Sequence, residues 1–438
     1  MRYLRVQLFA VSVLLAVAWI VLGIASPTTK TIRRSEDQVI VQGKTLSDAL
    51  DWPIEEIRAF AVVQGQAKTV PFQIDEKKEN GRYALDYGER KSADDGLLDA
   101  NDELVFMIFD AGDRISAEAL PGGYDAAVEV EIADPQDGGK AWLYLARYTQ
   151  NAPPLCSRDY VRYNNAKTFV DTQRYQMGFH KKASLSIGHL AIKPAGGGSG
   201  RNVVDRMKIR FTAETLGGAI KLDKNEEQFI SRTLGWIDGP VRIVRGTANQ
   251  MKLWKFKTPS AFLYNIYYVN SFEFPTEVNV PFKPGAFLSN PRFRVSTDAL
   301  CDQPTRMFYN SNNLSGVKMD GIMTEAERNL DMRPYKWSAV SAVGESGAWI
   351  NRLLYNASAT PARPILYYQD DRNHLDPPED DPGQCGDLGY VLVNLEKVER
   401  GKMNLVSIMY NAPNFTLKKV NQYMRILDQP LKVTSRGL

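Results

Sequence analysis

Short runs of β-favouring residues, separated by turn signals, recur along almost the whole chain. Ala126–Ile132 (AAVEVEI) alternates apolar with acidic side chains, as expected of a strand with one buried face. Groups rich in Pro, Gly and Asp lie on either side of it, at Pro121–Gly123 and Asp134–Gly139. Few segments show sustained helical periodicity, and no internal repeat is visible. The pattern therefore predicts an all-β fold.

The chain is long enough to form more than one hydrophobic core, because it has 438 residues. The Asn- and Pro-containing stretch Asn151–Pro154 interrupts the series of predicted strands and is taken as a boundary. The sequence thus predicts four regions. They are a signal peptide or membrane anchor (1–25), a linker (26–38), an N-terminal β domain that forms a small barrel or sandwich (39–150), and a larger two-sheet β-sandwich (151–438).

Three segments of the second β region carry specific predictions. Phe262–Phe274 (FLYNIYYVNSFEF) is aromatic enough to form a central strand of a wide sheet. Thr324–Asp331 is predicted to be a short helix, with Thr324 as its N-cap and Glu327 closing a capping box. Gln422–Ile426 is predicted to be a strand.

The N-terminus has the features of an export signal. Arg2 and Arg5 precede the uncharged segment Leu8–Ala25, and small residues stand before a potential cleavage site at Ser26. The segment is also just long enough to span a bilayer, so an uncleaved anchor stays open. The sequence therefore predicts an exported protein, periplasmic, cell-surface or secreted, that meets a membrane only through this segment.

The three cysteines, Cys156, Cys301 and Cys385, are widely spaced. Their spacing fits no zinc site, redox CxxC pair or haem attachment motif. One disulfide is expected after export. Cys301–Cys385 is the preferred pair because both residues lie in loops rich in Asp, Pro and Gly, although all three pairings are open.

An acidic turn after residue 90 is similar to a calcium-binding loop. With Gly96 at the sixth position, Asp95, Asp99 and Asp102 take the fifth, ninth and twelfth positions, which supply oxygen ligands. Lys91 and the residue two after it occupy the first and third positions without a side-chain oxygen. Both a weak Ca²⁺ site and an empty acidic turn are therefore carried forward. The acidic segment Tyr367–Asp387 is predicted to be a long loop that either holds Ca²⁺ or is solvated.

Two motifs within Val70–Asp113 carry a resemblance to known proteins. PFQID at Pro71–Asp75, followed by NDELVFM at Asn101–Met107, resembles the N-terminal module of some secreted bacterial β-rich proteins. Some of those proteins are uncharacterised, and others are related to polysaccharide lyases or sugar-binding sandwiches. The resemblance implies a carbohydrate ligand and implies no catalytic residue.

Cationic and hydrogen-bonding side chains are concentrated in Ser157–Lys167. Lyases of acidic sugars use such groups to neutralise a uronate carboxylate, while a Tyr or His removes the neighbouring proton. In an extended strand Tyr160 and Arg162 share one face. The alternative is an ordinary strand with charged outer residues. The candidate ligand-binding residues are Arg158, Tyr160, Arg162, Tyr163 and Lys167.

Several function classes lack their sequence signatures. The net charge of +3 provides no nucleic-acid footprint, and there is no nucleophile elbow, HExxH, nucleotide, haem or zinc motif. The three histidines, His180, His189 and His374, are far apart in sequence. The predicted function is binding or processing of carbohydrate, for instance an acidic glycan. The alternatives are a non-catalytic structural or assembly protein of the cell envelope and an accessory subunit of an exported complex.

Overall fold

The computed structural model describes residues 28–115, 119–253, 256–257, 260–280, 283–356 and 360–438. The predicted export segment Leu8–Ala25 and the cleavage site at Ser26 lie outside the described residues. Antiparallel strands in five sheets make up most of the regular structure, so the all-β prediction is confirmed. Within the described ranges no sheet closes into a barrel. No helix in this part of the chain has the length and apolar character needed to cross a membrane.

A small module is formed by two sheets that pack face to face. The first sheet contains, in spatial order, β1 (Gln38–Gln42), β5 (Glu103–Met107) and β4 (Gln73–Asp75). The second contains β27 (Lys432–Gly437), β6 (Ala126–Ala133), β7 (Lys140–Arg147), β2 (Ile57–Val63) and β3 (Gln66–Thr69). Leu104 and Phe106 of the first sheet are buried against Val128 and Leu143 of the second. The last strand of the chain therefore completes a sheet whose other strands come from the first third of the sequence.

A large module contains the other three sheets. The four-stranded sheet has the order β11 (Ile187–Ile192), β10 (Tyr175–Phe179), β9 (Phe169–Thr172) and β8 (Val161–Asn164). The five-stranded sheet has the order β13 (Ile220–Lys224), β12 (Val204–Thr215), β19 (Ser289–Ala299), β25 (Gln384–Val393) and β24 (Arg363–Asp371). The five-stranded sheet lies across from the ten-stranded sheet, with apolar residues of both in common clusters.

The ten-stranded sheet is the widest element of the structure. Its spatial order is β14 (Phe229–Asp238), β15 (Arg242–Leu253), β17 (Ala261–Tyr268), β18 (Ser271–Val280), β26 (Gly401–Ala412), β23 (Ala348–Tyr355), β22 (Ser338–Ala342), β20 (Arg306–Asn310) and β21 (Asn313–Met319), with β16 (Phe256–Lys257) beside β15.

The segment Phe262–Phe274 forms two strands, so the prediction of one central strand was wrong. β17 and β18 pair with each other and are joined at Val269 and Asn270. The Asn270 amide donates hydrogen bonds to the Glu36 backbone oxygen (2.8 Å) and to its carboxylate (3.0 Å). These contacts hold the turn against the segment that precedes β1. Local strand propensity does not reveal a turn that is fixed by such a distant residue.

Two α-helices in the described part of the chain test the remaining local predictions. α1 (Glu325–Arg328) begins after Thr324, and Thr324 and Glu327 form the predicted capping box. α2 (Val420–Asp428) replaces the strand predicted at Gln422–Ile426, which was wrong. Val420, Tyr423 and Met424 are buried against the ten-stranded sheet. Their spacing of three and four residues is that of an amphipathic helix.

A buried arginine joins the two modules. Arg242 of β15 is inaccessible to solvent and donates from Nε to Asp75 (2.6 Å) and from Nη2 to Glu103 (2.6 Å). The side-chain oxygen of Gln73 accepts from the Arg242 backbone N–H (2.8 Å). Gln73, Asp75 and Glu103 belong to the two motifs that carry the sequence resemblance. The polar residues of these motifs therefore hold the modules together.

Candidate ligand-binding cavity

The alternation of β12 creates two chemically opposite faces. Met207, Ile209 and Phe211 point into the space between the five- and ten-stranded sheets, whereas Arg206 and Lys208 point to the other side. β19 follows the same rule, because successive side chains of a strand face opposite sides of its sheet. The five-stranded sheet thus has an apolar inner face and a charged outer face.

A cavity of about 670 Å³ lies between the two sheets. This volume is in the range of small-molecule sites, about 300–1,000 Å³. Most side chains around it are aliphatic or aromatic. Representative members from both sheets and from the four-stranded sheet are Leu190, Ile209, Phe274, Val295, Leu392 and Met409.

The cavity is elongated across the width of the ten-stranded sheet. Its lining extends from Asn249 on β15 to Arg306 on β20, and six inter-strand steps separate these strands. Neighbouring strands lie about 4.8 Å apart, so the lining spans roughly 25–29 Å in a twisted sheet. Ser260, beside the β15 end, is exposed, whereas Arg306 is 8% exposed. The space therefore has an outer end and a deeper end.

A few polar groups interrupt the apolar lining. Among the described residues, Nε1 of Trp349 and Oδ1 of Asn249 are buried without a hydrogen-bond partner. A buried polar group left in this state costs about 1–3 kcal/mol. A bound molecule with its own polar atoms would offset that cost.

Arg306 is the one lining residue that carries a formal charge, as far as the described lining extends. Its Nη1 and Nη2 atoms donate to the backbone oxygens of Val203 (3.3 Å) and Leu300 (3.2 Å). In the described ranges no ion pair within 4.0 Å includes Arg306. Burial lowers its pKa to about 10, although the more distant Asp370 and Asp298 act in the opposite direction. The guanidinium is therefore still charged at neutral pH.

The outer face of the five-stranded sheet is covered by part of the acidic segment that was predicted to be a loop. Lys208 is fully buried and contacts Asp298 (2.8 Å) and Glu379 (3.1 Å), while Arg206 contacts Asp380 (2.8 Å). Burial and the nearby Asp387 raise the pKa of Asp298 to about 8, against the effect of Lys208. The carboxylates of the loop at residues 372–383 thus pair with cations of β12. The alternating cations at Arg206, Lys208 and Arg210 were the sequence signal for this arrangement. The prediction of a loop over the whole of Tyr367–Asp387 was wrong at both ends, because Tyr367–Asp371 belongs to β24 and Gln384–Asp387 belongs to β25.

The five residues of the predicted anion site are divided between two places. Arg158 and the Tyr160 hydroxyl both donate to Asp110, over 3.2 and 2.8 Å, at the boundary with the small module. Tyr160 is buried, whereas Arg162 is 77% exposed at its side chain. The expectation that Tyr160 and Arg162 share one face was wrong, because Tyr160 precedes β8 and turns inward to Asp110.

The other members of that set lie on the outside of β8 or beneath it. Arg162 pairs with Asp159 (2.9 Å), and Lys167 is exposed in the turn after the strand. The Tyr163 ring is buried edge-on against Trp236, with 5.5 Å between ring centroids. None of the five candidate residues is part of the cavity lining.

The candidate calcium ligands shape their own turn. Asp102 is 1% exposed and accepts from the backbone N–H groups of Lys77 (2.7 Å) and Asp99 (2.8 Å). Asp95 accepts from the N–H of Leu97 (2.9 Å). A search of the described residues finds no group of three or more His, Cys, Asp or Glu side chains placed to hold a metal ion. Calcium binding by Asp95, Asp99 and Asp102 stays a prediction.

A disulfide joins Cys301 to Cys385, the pair preferred from the sequence. Cys156 is a free thiol of intermediate exposure. Cys385 belongs to β25, and the next residue, Gly386, lines the cavity. The crosslink therefore fixes one edge of the cavity wall to the end of β19.

Comparison with solved structures finds weak similarities, including those to an alpha-mannosidase and to a benzylamine oxidase. No family model and no curated protein matches the sequence. An alpha-mannosidase from Enterococcus faecalis V583 matches 94% of this chain, with 9% identity and a TM-score of 0.45, and the chain covers 46% of that protein. A copper-containing benzylamine oxidase from Hansenula polymorpha matches 65% of this chain, with 9% identity and a TM-score of 0.21, and 62% of the oxidase is covered. At these TM-scores neither similarity carries an argument about function.

Proposed function

We propose that this protein binds an elongated, largely apolar small molecule between its five- and ten-stranded sheets. The observation that carries the proposal is the cavity of about 670 Å³ with its predominantly apolar lining. Protein interiors are otherwise packed as densely as organic crystals. A space of this size inside a sandwich is therefore a site for a molecule that supplies the missing contacts.

The lining favours binding over catalysis. In the described part of the wall there is no Asp, Glu, His, Cys or Lys side chain. The wall holds Ser, Thr and Tyr hydroxyls, but a hydroxyl nucleophile needs an adjacent base to activate it, and this part of the wall supplies no such base. A role in sequestering or carrying an apolar compound follows from the chemistry of this wall.

Cavity-filling variants test the proposal. Thr297 on β19 lines the cavity, and Ser407 on β26 lines it from the opposite sheet. Thr297→Phe and Ser407→Phe place a ring in the space and should weaken binding of hexadecanol by about tenfold or more, equivalent to about 1.4 kcal/mol. The measurement is displacement of the uncharged dye N-phenyl-naphthylamine.

The matched control introduces the same ring outside the cavity. Arg292 lies on the same strand as Thr297 and is exposed. Arg292→Phe should leave hexadecanol affinity unchanged, and thermal melts of all three variants report on folding. Absence of saturable hexadecanol binding by the wild-type protein would overturn the proposal.

We also propose that the protein acts outside the cytoplasm. Support comes from the uncharged segment Leu8–Ala25 in the sequence and from the disulfide between Cys301 and Cys385, since disulfides persist in oxidising compartments. Mass spectrometry of the native N-terminus is the test. A mature chain that begins near Ser26 is expected, and an intact Met1 on a protein recovered from the cytoplasm contradicts the idea.

A surface glycan site is the second candidate function. Tyr87 is 51% exposed, and its ring stacks on Trp236 at 5.5 Å between centroids. Burial raises the pKa of the neighbouring Asp238 to about 6, and the charges of Asp159 and Arg162 also act on it. An exposed ring beside hydrogen-bonding side chains is an arrangement that suits a sugar.

The glycan candidate has its own experiment. Acidic glycans should bind at low salt and more weakly at high salt, because charges at the surface are screened over about 10 Å at 0.1 M. Tyr87→Ala and Arg162→Ala should reduce that binding, whereas Thr297→Phe should not. If an array of acidic glycans gives no binding at low salt, this candidate is withdrawn. An unsaturated, ultraviolet-absorbing product would indicate a lyase.

A further inference from the structure

We propose that the cavity ligand is a single-chain amphiphile whose anionic head group, a carboxylate or a phosphate monoester, binds Arg306 at the deep end of the cavity. This inference rests on the proposed function, and it specifies the ligand class. The residues that carry it are Arg306 and the apolar side chains between β20 and β15.

Arg306 is buried, and its hydrogen bonds leave part of the guanidinium without a partner. A guanidinium has five N–H donors, and in the described structure the hydrogen bonds of Arg306 go to two backbone oxygens, those of Val203 and Leu300. The side chain is 92% removed from solvent, since 8% of it is exposed. Buried charges in proteins are normally paired, because removing an ion from water is costly. Asp370, Asp298, Asp302 and Glu345 act on the guanidinium only from beyond ion-pair distance, so an anion in the cavity would be its direct partner.

Two other buried arginines show what pairing looks like in this protein. Arg206 contacts Asp380 (2.8 Å) on the outer face of the five-stranded sheet, and Arg242 contacts two carboxylates at the module boundary. Arg306, the cation that faces the cavity, has no such partner among the described residues. The planar fork of an arginine fits the two oxygens of a carboxylate or phosphate.

The part of the cavity beyond Arg306 is long and mainly apolar. From Arg306 the lining continues across β22, β23, β26, β18 and β17 to β15. Side chains along this path are mainly apolar, including Val340, Trp349, Met409, Phe274 and Leu263. A long, mainly apolar path that begins at a cation matches an alkyl chain attached to an anionic group. A compact ring system would occupy only part of it.

Three ligands with the same chain separate the possibilities. Hexadecanoate, hexadecyl phosphate and hexadecanol differ only at the head group, and each can displace the uncharged dye. We expect the wild-type protein to bind at least one anion about tenfold or more tightly than hexadecanol. The stronger of the two anions identifies the head group. Shortening the chain should weaken binding by about fourfold for each buried methylene lost, the equivalent of its transfer free energy.

Variants of Arg306 test whether this residue causes the preference for the anionic ligand. Arg306→Gln should abolish the preference for the anion while hexadecanol still binds, and Arg306→Lys should retain part of the preference. Arg292→Gln, which removes an exposed arginine outside the cavity, should change the affinity for neither ligand. If Arg306→Gln does not fold, the comparison of the three ligands on the wild-type and Arg306→Lys proteins decides alone.

The outcomes distinguish the two proposals. If none of the three ligands binds, the proposed function itself fails. If hexadecanol binds as tightly as both anions, or if the anion preference survives in Arg306→Gln, the cavity site stands and the assignment of Arg306 is overturned. A preference that weakens strongly with salt would also contradict a buried contact, because buried pairs are screened little.

Discussion

Arg242 is the residue on which the junction between the two modules depends. Replacing it with Met removes the cation, leaves Asp75 buried without its arginine and leaves Glu103 paired with Lys77 alone. Breaking a buried pair in this way costs about 3–5 kcal/mol in the free energy of unfolding. Urea denaturation of Arg242→Met measures the loss.

The control for Arg242 is an arginine with an exposed partner. Arg232 contacts Glu89 (2.6 Å), and both side chains are 62% exposed. Arg232→Met should cost about 0–1 kcal/mol, as surface ion pairs do. Equal losses in the two variants would show that the buried cluster does not stabilise the junction.

Asp110 should make stability depend on pH in a defined direction. Burial raises its pKa from 3.8 to about 6, although Tyr160, Arg158 and Lys30 oppose the shift. The folded state therefore holds the proton more tightly than the unfolded state, so stability falls as pH rises from about 4 to 6. The full loss, about 3 kcal/mol for a shift of this size, is present above pH 6.

The Asp110→Asn variant isolates this contribution. The amide cannot ionise, so the fall in unfolding free energy between pH 4 and 7 should be smaller than in the wild-type protein. Asp331 should change stability with pH in the opposite direction, because hydrogen bonds from Arg333 lower its pKa to about 2. The stability that Asp331 contributes is lost as pH falls through its folded pKa. A steeper fall in Asp110→Asn than in wild type would contradict the assignment.

The sequence singled out several residues that matter in the structure, but it did not indicate what each of them contacts. Asp75 and Glu103 lie in motifs that the sequence singled out, yet their partner is Arg242 on a strand far along the chain. Tyr160 was placed beside Arg162 by strand alternation, but the strand begins one residue later. Strand alternation can assign a face only after the strand boundary is known.

At the scale of elements, β27 closes the small module from the far end of the chain. It pairs with β6 over six residues, and Arg436 donates to the buried Glu129 (2.9 Å). Deleting residues 432–438 removes these ladder bonds, each with a net value of about 0.5–1.5 kcal/mol, and exposes the edge of β6. We expect a lower melting temperature and self-association, measured by circular dichroism and light scattering.

Arg436→Ala separates the ion pair from the strand. Arg114 also contacts Glu129 (3.0 Å), so the carboxylate keeps a partner in this variant. The point substitution should therefore cost less than the deletion and should cause no association. If the deletion leaves both melting temperature and association state unchanged, β27 is dispensable for the sheet.

The elements that the sequence predicted well are those with local signals. β6 and the capping box of α1 follow from alternation and from the Thr324–Glu327 spacing. The β17–β18 hairpin was missed because Asn270 is fixed by Glu36, which is distant in sequence. α2 was missed because the spacing of its apolar residues can be recognised as a buried helix face only when the sheet that it packs against is known.

At the scale of the whole molecule, the cavity could not have been predicted from the sequence. Its wall combines strands from all three sheets of the large module, and Asn249 and Arg306 reach the same space from strands that lie six steps apart in one sheet. Each apolar side chain looks like ordinary core when it is considered alone. The empty volume depends on how far apart two sheets lie, and no local pattern encodes that distance.

The disulfide couples global stability to the cavity wall. Cys301 and Cys385 are separated by 84 residues, and the crosslink ties the end of β19 to β25. Replacing both with Ser frees a long loop in the unfolded state and should cost about 2–5 kcal/mol. Because Gly386 of β25 lines the cavity, we also expect weaker binding of hexadecanol. Urea denaturation and dye displacement measure the two effects.

Cys156→Ser is the matched control, because Cys156 has no disulfide partner and is not part of the cavity lining. It should leave stability and hexadecanol affinity unchanged, with or without a reducing agent. In the wild-type protein, a reductant should reproduce both losses seen in the double Ser variant. Lower stability with unchanged hexadecanol affinity would mean that the crosslink stabilises the fold but does not hold the cavity wall in place.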